Sequence, residues 1–185
     1  FEDIKSLLTK AVEKVEELFK SDEPLTGISS GFSKFDEMTS GLQNSDLVIV
    51  AGRPSMGKTT FAMNIAENAA IGSKTPVAVF SMEMPGEQLA MRMISSLGRI
   101  DQHHIRTGQL TDEDWPRITS AVHMLSEASL FIDDTPAMSP NEVRARARRM
   151  KRKHGLGLVV VDYLQLMQVH GGSENRATEI SEISR

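Results

Sequence analysis

Apolar residues in the first twenty positions recur at helical spacing. At about 100° per residue, Ile4, Leu7, Leu8, Ala11, Val12, Val15, Leu18 and Phe19 fall within an arc of roughly 140°. Glu2, Asp3, Lys5, Lys10, Glu13, Glu16, Glu17 and Lys20 fill the remainder. The pattern predicts an amphipathic helix over 1–20. It should stop at Ser21-Asp22-Glu23-Pro24, because the residue before a proline disfavours helical backbone. Residues 21–30 read as a linker.

From residue 31 the period changes. Leu47–Ala51, Val77–Ser81, Leu130–Asp133 and Leu158–Asp162 are short apolar runs of buried-strand character, separated by helical patterns near 57–71, 85–97, 112–126 and 140–153. Thr111 fits an N-cap, with Asp112, Glu113 and Asp114 favourable in the first turn. Alternating strands and helices predict an α/β domain over 31–185, with a parallel sheet covered on both faces. No internal repeat or low-complexity tract interrupts it. A helical pattern over Ala177–Arg185 carries no stop signal, so the domain is expected to be C-terminally incomplete and to continue past Arg185.

The bulk properties narrow the class. A chain of 185 residues holds one domain with a sizeable core plus an appendage. With 39% hydrophobic and 25% charged residues it is neither a disordered nor a membrane-type composition. No apolar run nears the roughly 20 residues that span a bilayer, and the charged first helix is unlike a signal peptide. The absence of cysteine excludes disulfides and thiolate metal sites. Net charge is −4, so any nucleic-acid contact needs a local basic surface.

The sharpest chemical signal is Gly52-Arg53-Pro54-Ser55-Met56-Gly57-Lys58-Thr59, a complete G-x-x-x-x-G-K-[ST] phosphate loop ahead of a predicted helix. Its glycines let successive N–H groups turn towards phosphate oxygens, and the helix N-terminus adds partial positive charge. Lys58 should reach the β- and γ-phosphates, and the Thr59 hydroxyl should ligate Mg²⁺. A nucleoside triphosphate, ATP first, is the expected ligand. Leu158-Val159-Val160-Val161-Asp162 supplies the second element, a buried strand ending in a carboxylate for the metal. Asp133 and Asp134 end another strand, but Thr135-Pro136 follows and loop capping is the favoured reading. Glu83 lies just past Val77–Ser81, at the edge to which parallel strands deliver their C-terminal ends. It is the candidate to activate water.

Taken with these residues, Thr26-Gly27-Ile28, Phe35-Asp36, Thr39-Ser40-Gly41-Leu42, the loop continuing into Thr60, Phe80-Ser81-Met82-Glu83-Met84-Pro85, Ile105-Arg106-Thr107-Gly108-Gln109-Leu110 and Asp162-Tyr163-Leu164-Gln165-Leu166 resemble the DnaB family of bacterial replicative helicases. The resemblance runs over essentially the whole chain. It implies a RecA-like motor domain in a cytoplasmic, nucleoid-associated homo-hexamer that uses ATP and Mg²⁺ to translocate on single-stranded DNA and unwind the duplex. It implies that Glu83 is the catalytic glutamate and Asp162 the metal-side aspartate. It also implies that helix 1–20 is a linker helix docking on the neighbouring subunit, with primase and a helicase loader as partners. The helical pattern alone leaves docking on the chain's own core equally open. The family's remaining DNA-binding loops, phosphate-sensing glutamine and arginine finger should lie beyond Arg185, so the segment alone is expected to show little ATPase activity and no unwinding.

Asn141–Lys153 carries Arg144, Arg146, Arg148, Arg149, Lys151, Arg152 and Lys153, with Val143, Ala147 and Met150 on one narrow stripe. Such a helix can grip phosphates without reading bases, or serve as a solvated face or a set of salt-bridge partners. Arg148 and Arg149 match basic positions in the family and are the candidate DNA contacts. The Gly-rich loop His170–Arg176 reads either as a channel-facing loop or as an ordinary one. Among other classes, a recombinase-type RecA-like ATPase and a non-catalytic assembly module stay open on the residues alone.

Overall fold

Val77-Ala78-Val79-Phe80-Ser81 is buried at every position, as a strand must be when helices cover both of its faces. In this computed structural model, which describes residues 2–20, 25–168 and 180, that strand (β1) is the middle of a three-stranded sheet. It lies between β2 (Leu130–Asp133) and β3 (Leu158–Asp162), in the order β2-β1-β3, and pairs in parallel with both. The helices in chain order are α1 (Ile4–Lys20), α2 (Ser33–Thr39), α3 (Lys58–Glu67), α4 (Gly86–Gly98), α5 (Gln102–Thr107), α6 (Asp114–Glu127) and α7 (Pro140–His154). The α/β architecture with a parallel central sheet is the one that the alternation predicts. The helix stop predicted at Ser21–Pro24, the loop His170–Arg176 and the helical pattern of Ala177–Arg185 lie outside the described residues, Ile180 excepted.

Side-chain alternation along β1 divides the core in two. Val77 and Val79 join Met63, Ala66 and Ala69 of the α3 region and Leu89 and Met93 of α4 on one face. Ala78 and Phe80 join Met82, Met138, Val143 of α7 and Leu156 on the other. Helix α3 runs on through a π-helical turn at Asn68–Gly72, which keeps Ala69 and Ala70 buried. Helix α7 opens on a capping box, Ser139 and Glu142 each bonding the other's backbone, with Pro140 at its first position.

Three expectations change. Leu47–Ala51 forms no strand: it has no ladder partner among the described residues, and Leu47, Val48, Ile49 and Val50 are 44–70% exposed. Apolar, β-branched residues favour extended chain, but a strand exists only where another edge supplies hydrogen bonds. Thr111 does not cap α6. Its N–H and hydroxyl instead donate to the Asp114 carboxylate, at 2.8 and 2.9 Å, and these bonds hold the Asp114 carboxyl below its usual range. The packed part of the chain also begins before residue 31. Ile28 bridges Leu42, and Ser29 and Ser30 donate to the buried Asp36 carboxylate at 2.7 and 2.6 Å.

This leading segment steadies the phosphate-loop helix. Phe32 and Phe35 pack on Phe61 of α3, with ring centroids 5.0 and 6.4 Å apart. The Asn68 amide donates to the Ser30 carbonyl at 2.9 Å, so close to Gly31 that a Cβ there would lie 2.0 Å from the amide nitrogen. Helix α1 forms as predicted but has no buried residue. Among the described residues, the core does not bury its apolar stripe. Among the described residues no helix is long and apolar enough to cross a membrane.

Candidate functional site

The loop from Gly52 to Gly57 is exposed along its length and turns sharply into α3. The Met56 N–H donates to the Arg53 carbonyl, and Ser55 (φ 62°) and Gly57 (φ 84°) both adopt left-handed backbone. Glycine takes that conformation at no steric cost, which explains the residue at 57. Lys58 Nζ donates to the carbonyls of Gly52 (3.0 Å) and Arg53 (3.1 Å), tying the loop's start to the helix's first residue. The first amides of any helix have no intrahelical acceptor. At the start of α3 they belong to Lys58, Thr59 and Thr60, which follow directly on the exposed loop, so an anion there meets both free donors and the positive end of a ten-residue helix. Pro54 and Met56, the remaining loop residues, are exposed and make the rim.

Register brings the carboxylates to the same edge. Ser81 of β1 pairs with Asp162 of β3, and the Met82 N–H donates to the Asp162 carbonyl at 2.8 Å. The Thr59 hydroxyl donates to Asp162 Oδ2 at 2.9 Å, and Asp162 is buried. Thr59 and Asp162 thus present two hard oxygen donors beside the phosphate loop. Among the described residues no group of three or more His, Cys, Asp or Glu could hold a metal. Mg²⁺ on a nucleotide does not need one: it takes one or two protein oxygens and completes its shell with phosphate and water. The residues present fit that ion.

Glu83 is exposed two residues past β1. Its neighbours point to opposite faces of the sheet, Met82 into the core beside Phe80 and Met84 against the core beside Val79. The buried Ser81 hydroxyl donates to the Met84 carbonyl at 2.8 Å and accepts from the Met84 N–H at 3.3 Å. Two methionine anchors and a serine clamp thus hold a short turn in which the glutamate between the two methionines stays outward. Periodicity carries no sign of this clamp; the serine closing an apolar strand is its one sequence mark.

Lys58, Thr59, Asp162 and the Glu83 turn therefore share one edge. Arg148 and Arg149 do not join them. They are exposed on α7, which leaves that edge at Ser139, so Arg148 stands roughly 13 Å down the helix at 1.5 Å per residue. Among the other cations of α7, Arg146 is pinned to Asp133 at 2.6 Å, and Lys151 donates to the Leu156 carbonyl at 2.8 Å. Burial pushes the Asp133 carboxyl up, but hydrogen bonds from Arg146 and Thr135 outweigh it and hold it below the usual range.

The profile of the DnaB-like helicase C terminal domain matches residues 27–185. The chain is 50% identical over 186 residues to the replicative DNA helicase DnaB of Geobacillus stearothermophilus, covering 100% of this chain and 41% of that protein. It is 53% identical to the DnaB of Buchnera aphidicola subsp. Acyrthosiphon pisum, covering 99% of this chain and 40% of that one. Among solved structures, a DnaB-like replicative helicase described with its interactions with primase superposes with a TM-score of 0.87 at 33% identity, over 100% of this chain and 44% of that one. An ATPase domain superposes with a TM-score of 0.91 at 33% identity, over 100% of this chain and 65% of that one. The chain spans about two fifths of the length of the curated relatives it matches.

Proposed function

This chain belongs to the DnaB-like helicase C-terminal domain family, with a RecA-like ATPase fold, and from that premise we propose that it is the ATP-driven motor segment of a ring-shaped replicative DNA helicase. In this reading α1 is the linker helix, and the motor comprises residues 31–185 together with the packed residues 28–30 that precede them. The observation that carries the proposal is the meeting of three elements at one sheet edge: the phosphate loop, Asp162 hydrogen-bonded to Thr59, and the Glu83 turn. A recombinase-type ATPase shares the loop, but the relatives do not favour it.

The loop amides of 52–59 and Lys58 bind the triphosphate, Lys58 exchanging its two carbonyl partners for phosphate oxygens. Thr59 and Asp162 hold Mg²⁺, which neutralises charge on the phosphates when bound. Glu83 accepts the proton of the attacking water and orients it in line with the bond to be broken. Thr60, exposed in the first turn of α3, would add its hydroxyl and N–H to the donors that bind the same nucleotide.

A second copy of the chain completes the unit. The stripe of α1 exposes Ile4, Leu8, Val12, Val15 and Phe19 by 57–90%, more contiguous apolar surface than a lone helix leaves in water. Its occupant in this reading is the neighbouring subunit of a hexamer. Arg148 and Arg149 contact the phosphates of single-stranded DNA. Primase, named in connection with one solved relative, and a loader are the expected partners of the whole protein.

The deciding experiment measures ATP hydrolysis by the full-length protein with and without single-stranded DNA, for wild type, Lys58→Ala and Glu83→Gln. Stimulation by DNA in the wild type that disappears in both variants is the expected result. DNA-independent phosphoryl transfer to a small molecule would overturn the motor reading.

A further inference from the structure

The Glu83 turn is held by a further contact, and it comes from the end of a different strand, β2. Helix α4 begins at Gly86, three residues after Glu83, and its N-cap residue is Pro85, whose side chain offers no acceptor. The first N–H of the helix is nevertheless satisfied: Gly86 N–H donates to Asp134 Oδ2 at 2.8 Å. Asp134 follows β2, 48 residues further along the chain. A carboxylate at this point both accepts the free amide and faces the positive end of the helix dipole.

The base of this grip is itself fixed. Asp133, the adjacent residue, is locked by Arg146 of α7 at 2.6 Å and by the Thr135 hydroxyl at 2.7 Å. Arg146 also donates to Thr135 at 2.8 Å, closing a ring of contacts around the end of β2.

We infer that Asp134 is a positioning residue for hydrolysis: its carboxylate caps α4 from across the sheet edge and so sets where the Glu83 turn ends. The inference rests on Glu83 being the water-activating group. Ser81 fixes the start of the turn through Met84, and Asp134 fixes its exit through Gly86. With both ends tied, Glu83 meets bound nucleotide at one distance. Without Asp134 the first turn of α4 loses its acceptor, and the glutamate is free to drift by the fraction of an ångström that matters for in-line attack.

The test uses the full-length protein and separates turnover from nucleotide affinity. Asp134→Ala should lower kcat about tenfold or more while KM for ATP stays within about twofold, because the phosphate loop is untouched. Asp134→Asn keeps an oxygen acceptor for the Gly86 amide and should recover most of the lost turnover. Asp134 is exposed, so neither variant opens the core. Wild-type kcat in Asp134→Ala, equal losses in the Ala and Asn variants, or a rise in KM with kcat unchanged would each overturn the positioning role. Glu83→Gln is the control that separates the two claims. If it is inactive while Asp134→Ala turns over normally, only this inference falls. If Glu83→Gln hydrolyses ATP at the wild-type rate, the assignment of Glu83 falls and this inference with it.

Discussion

The hydroxyl of Thr59 donates to Oδ2 of Asp162 across 2.9 Å, joining residues 103 positions apart in the chain. One sits in the first turn of the helix that follows the phosphate loop, and the other ends the strand paired with β1. This bond sets the spacing between the phosphate cradle and the sheet edge. Register then adds the Glu83 turn, because Asp162 lies opposite Ser81 and accepts the Met82 N–H through its carbonyl. In the proposed reading, phosphate binding, metal binding and water activation thus meet at one sheet edge, where the buried Asp162 and Ser81 anchor an exposed phosphate loop and an exposed Glu83 turn.

Asp162→Asn tests the metal half of that frame. It keeps the size and an acceptor for Thr59 but removes the negative charge that a divalent cation requires. Mg²⁺-dependent hydrolysis by the full-length protein should fall roughly 100-fold or more, the scale of losing one preorganised electrostatic contact. Binding of a fluorescent ATP analogue in excess EDTA should change little. Hydrolysis that persists at the wild-type rate across a Mg²⁺ titration would remove Asp162 from the metal site.

Much of this arrangement is legible in the sequence, for a physical reason. Strands β1, β2 and β3 and helices α3, α4, α6 and α7 follow from local period, since each buries a face whose spacing the backbone dictates. The phosphate loop is legible because its glycine, lysine and threonine are each required by contact with one ligand. What is not legible depends on partners distant in the chain. Leu47–Ala51 has the composition of a strand, yet pairing is a property of two segments and none of the described ones lies beside it. Thr111 and Asp114 are equally suited to accept, and only the fold decides that Asp114 is the acceptor. The Asp134–Gly86 contact spans 48 residues between two non-periodic turns, so no window along the chain contains it. The Ser139-x-x-Glu142 capping box, by contrast, is a sequence signal for the start of α7 that the periodicity reading passes over.

Helix α1 gives a prediction about assembly. Leu8 and Val15 are 57% and 64% exposed on its apolar stripe, and each is worth roughly 1.5–3 kcal/mol when fully buried against a partner. Leu8→Asp or Val15→Asp should therefore shift the full-length protein from hexamers to smaller species, as read by multi-angle light scattering. The melting temperature of the motor should not fall, because α1 contributes no buried residue to its core. Unchanged assembly would assign the stripe to another surface.

The basic helix predicts a salt signature. Arg148 and Arg149 are exposed, and no side-chain partner occupies either among the described residues, whereas Arg146 is held by Asp133. If each neutralises one phosphate, Arg148→Ala and Arg149→Ala should each reduce the slope of log affinity against log salt by roughly 0.7 for a single strand. Binding should weaken evenly across base sequences, since no base edge is read. Fluorescence anisotropy with homopolymer oligonucleotides over a salt series measures both. A slope identical to wild type would remove these arginines from the DNA path.

Glu67 ties stability to pH. It is buried at the end of α3, where Ser96 of α4 donates to its carboxylate at 3.1 Å, and burial raises its pKa from the ordinary 4.5 to about 7 despite that bond. A carboxyl that holds its proton more tightly when folded stabilises the fold most below pH 4.5, where both states are protonated. Between 4.5 and about 7 the unfolded chain ionises first, so the folded state binds more protons and stability falls as pH rises. Above about 7 both forms are charged, and the full cost of burying the carboxylate remains. Glu67→Gln carries no such charge and can still pair with Ser96. It should remove this part of the decline and stabilise the protein at pH 8 by about 1–2 kcal/mol, the full shift being discounted for partial solvent screening. Thermal melts of wild type and variant at pH 5 and pH 8 separate the cases. A stability gap between the two proteins that does not widen from pH 5 to pH 8 would mean that Glu67 is ionised in the folded state throughout, with solvent or a counter-charge reaching it between α3 and α4.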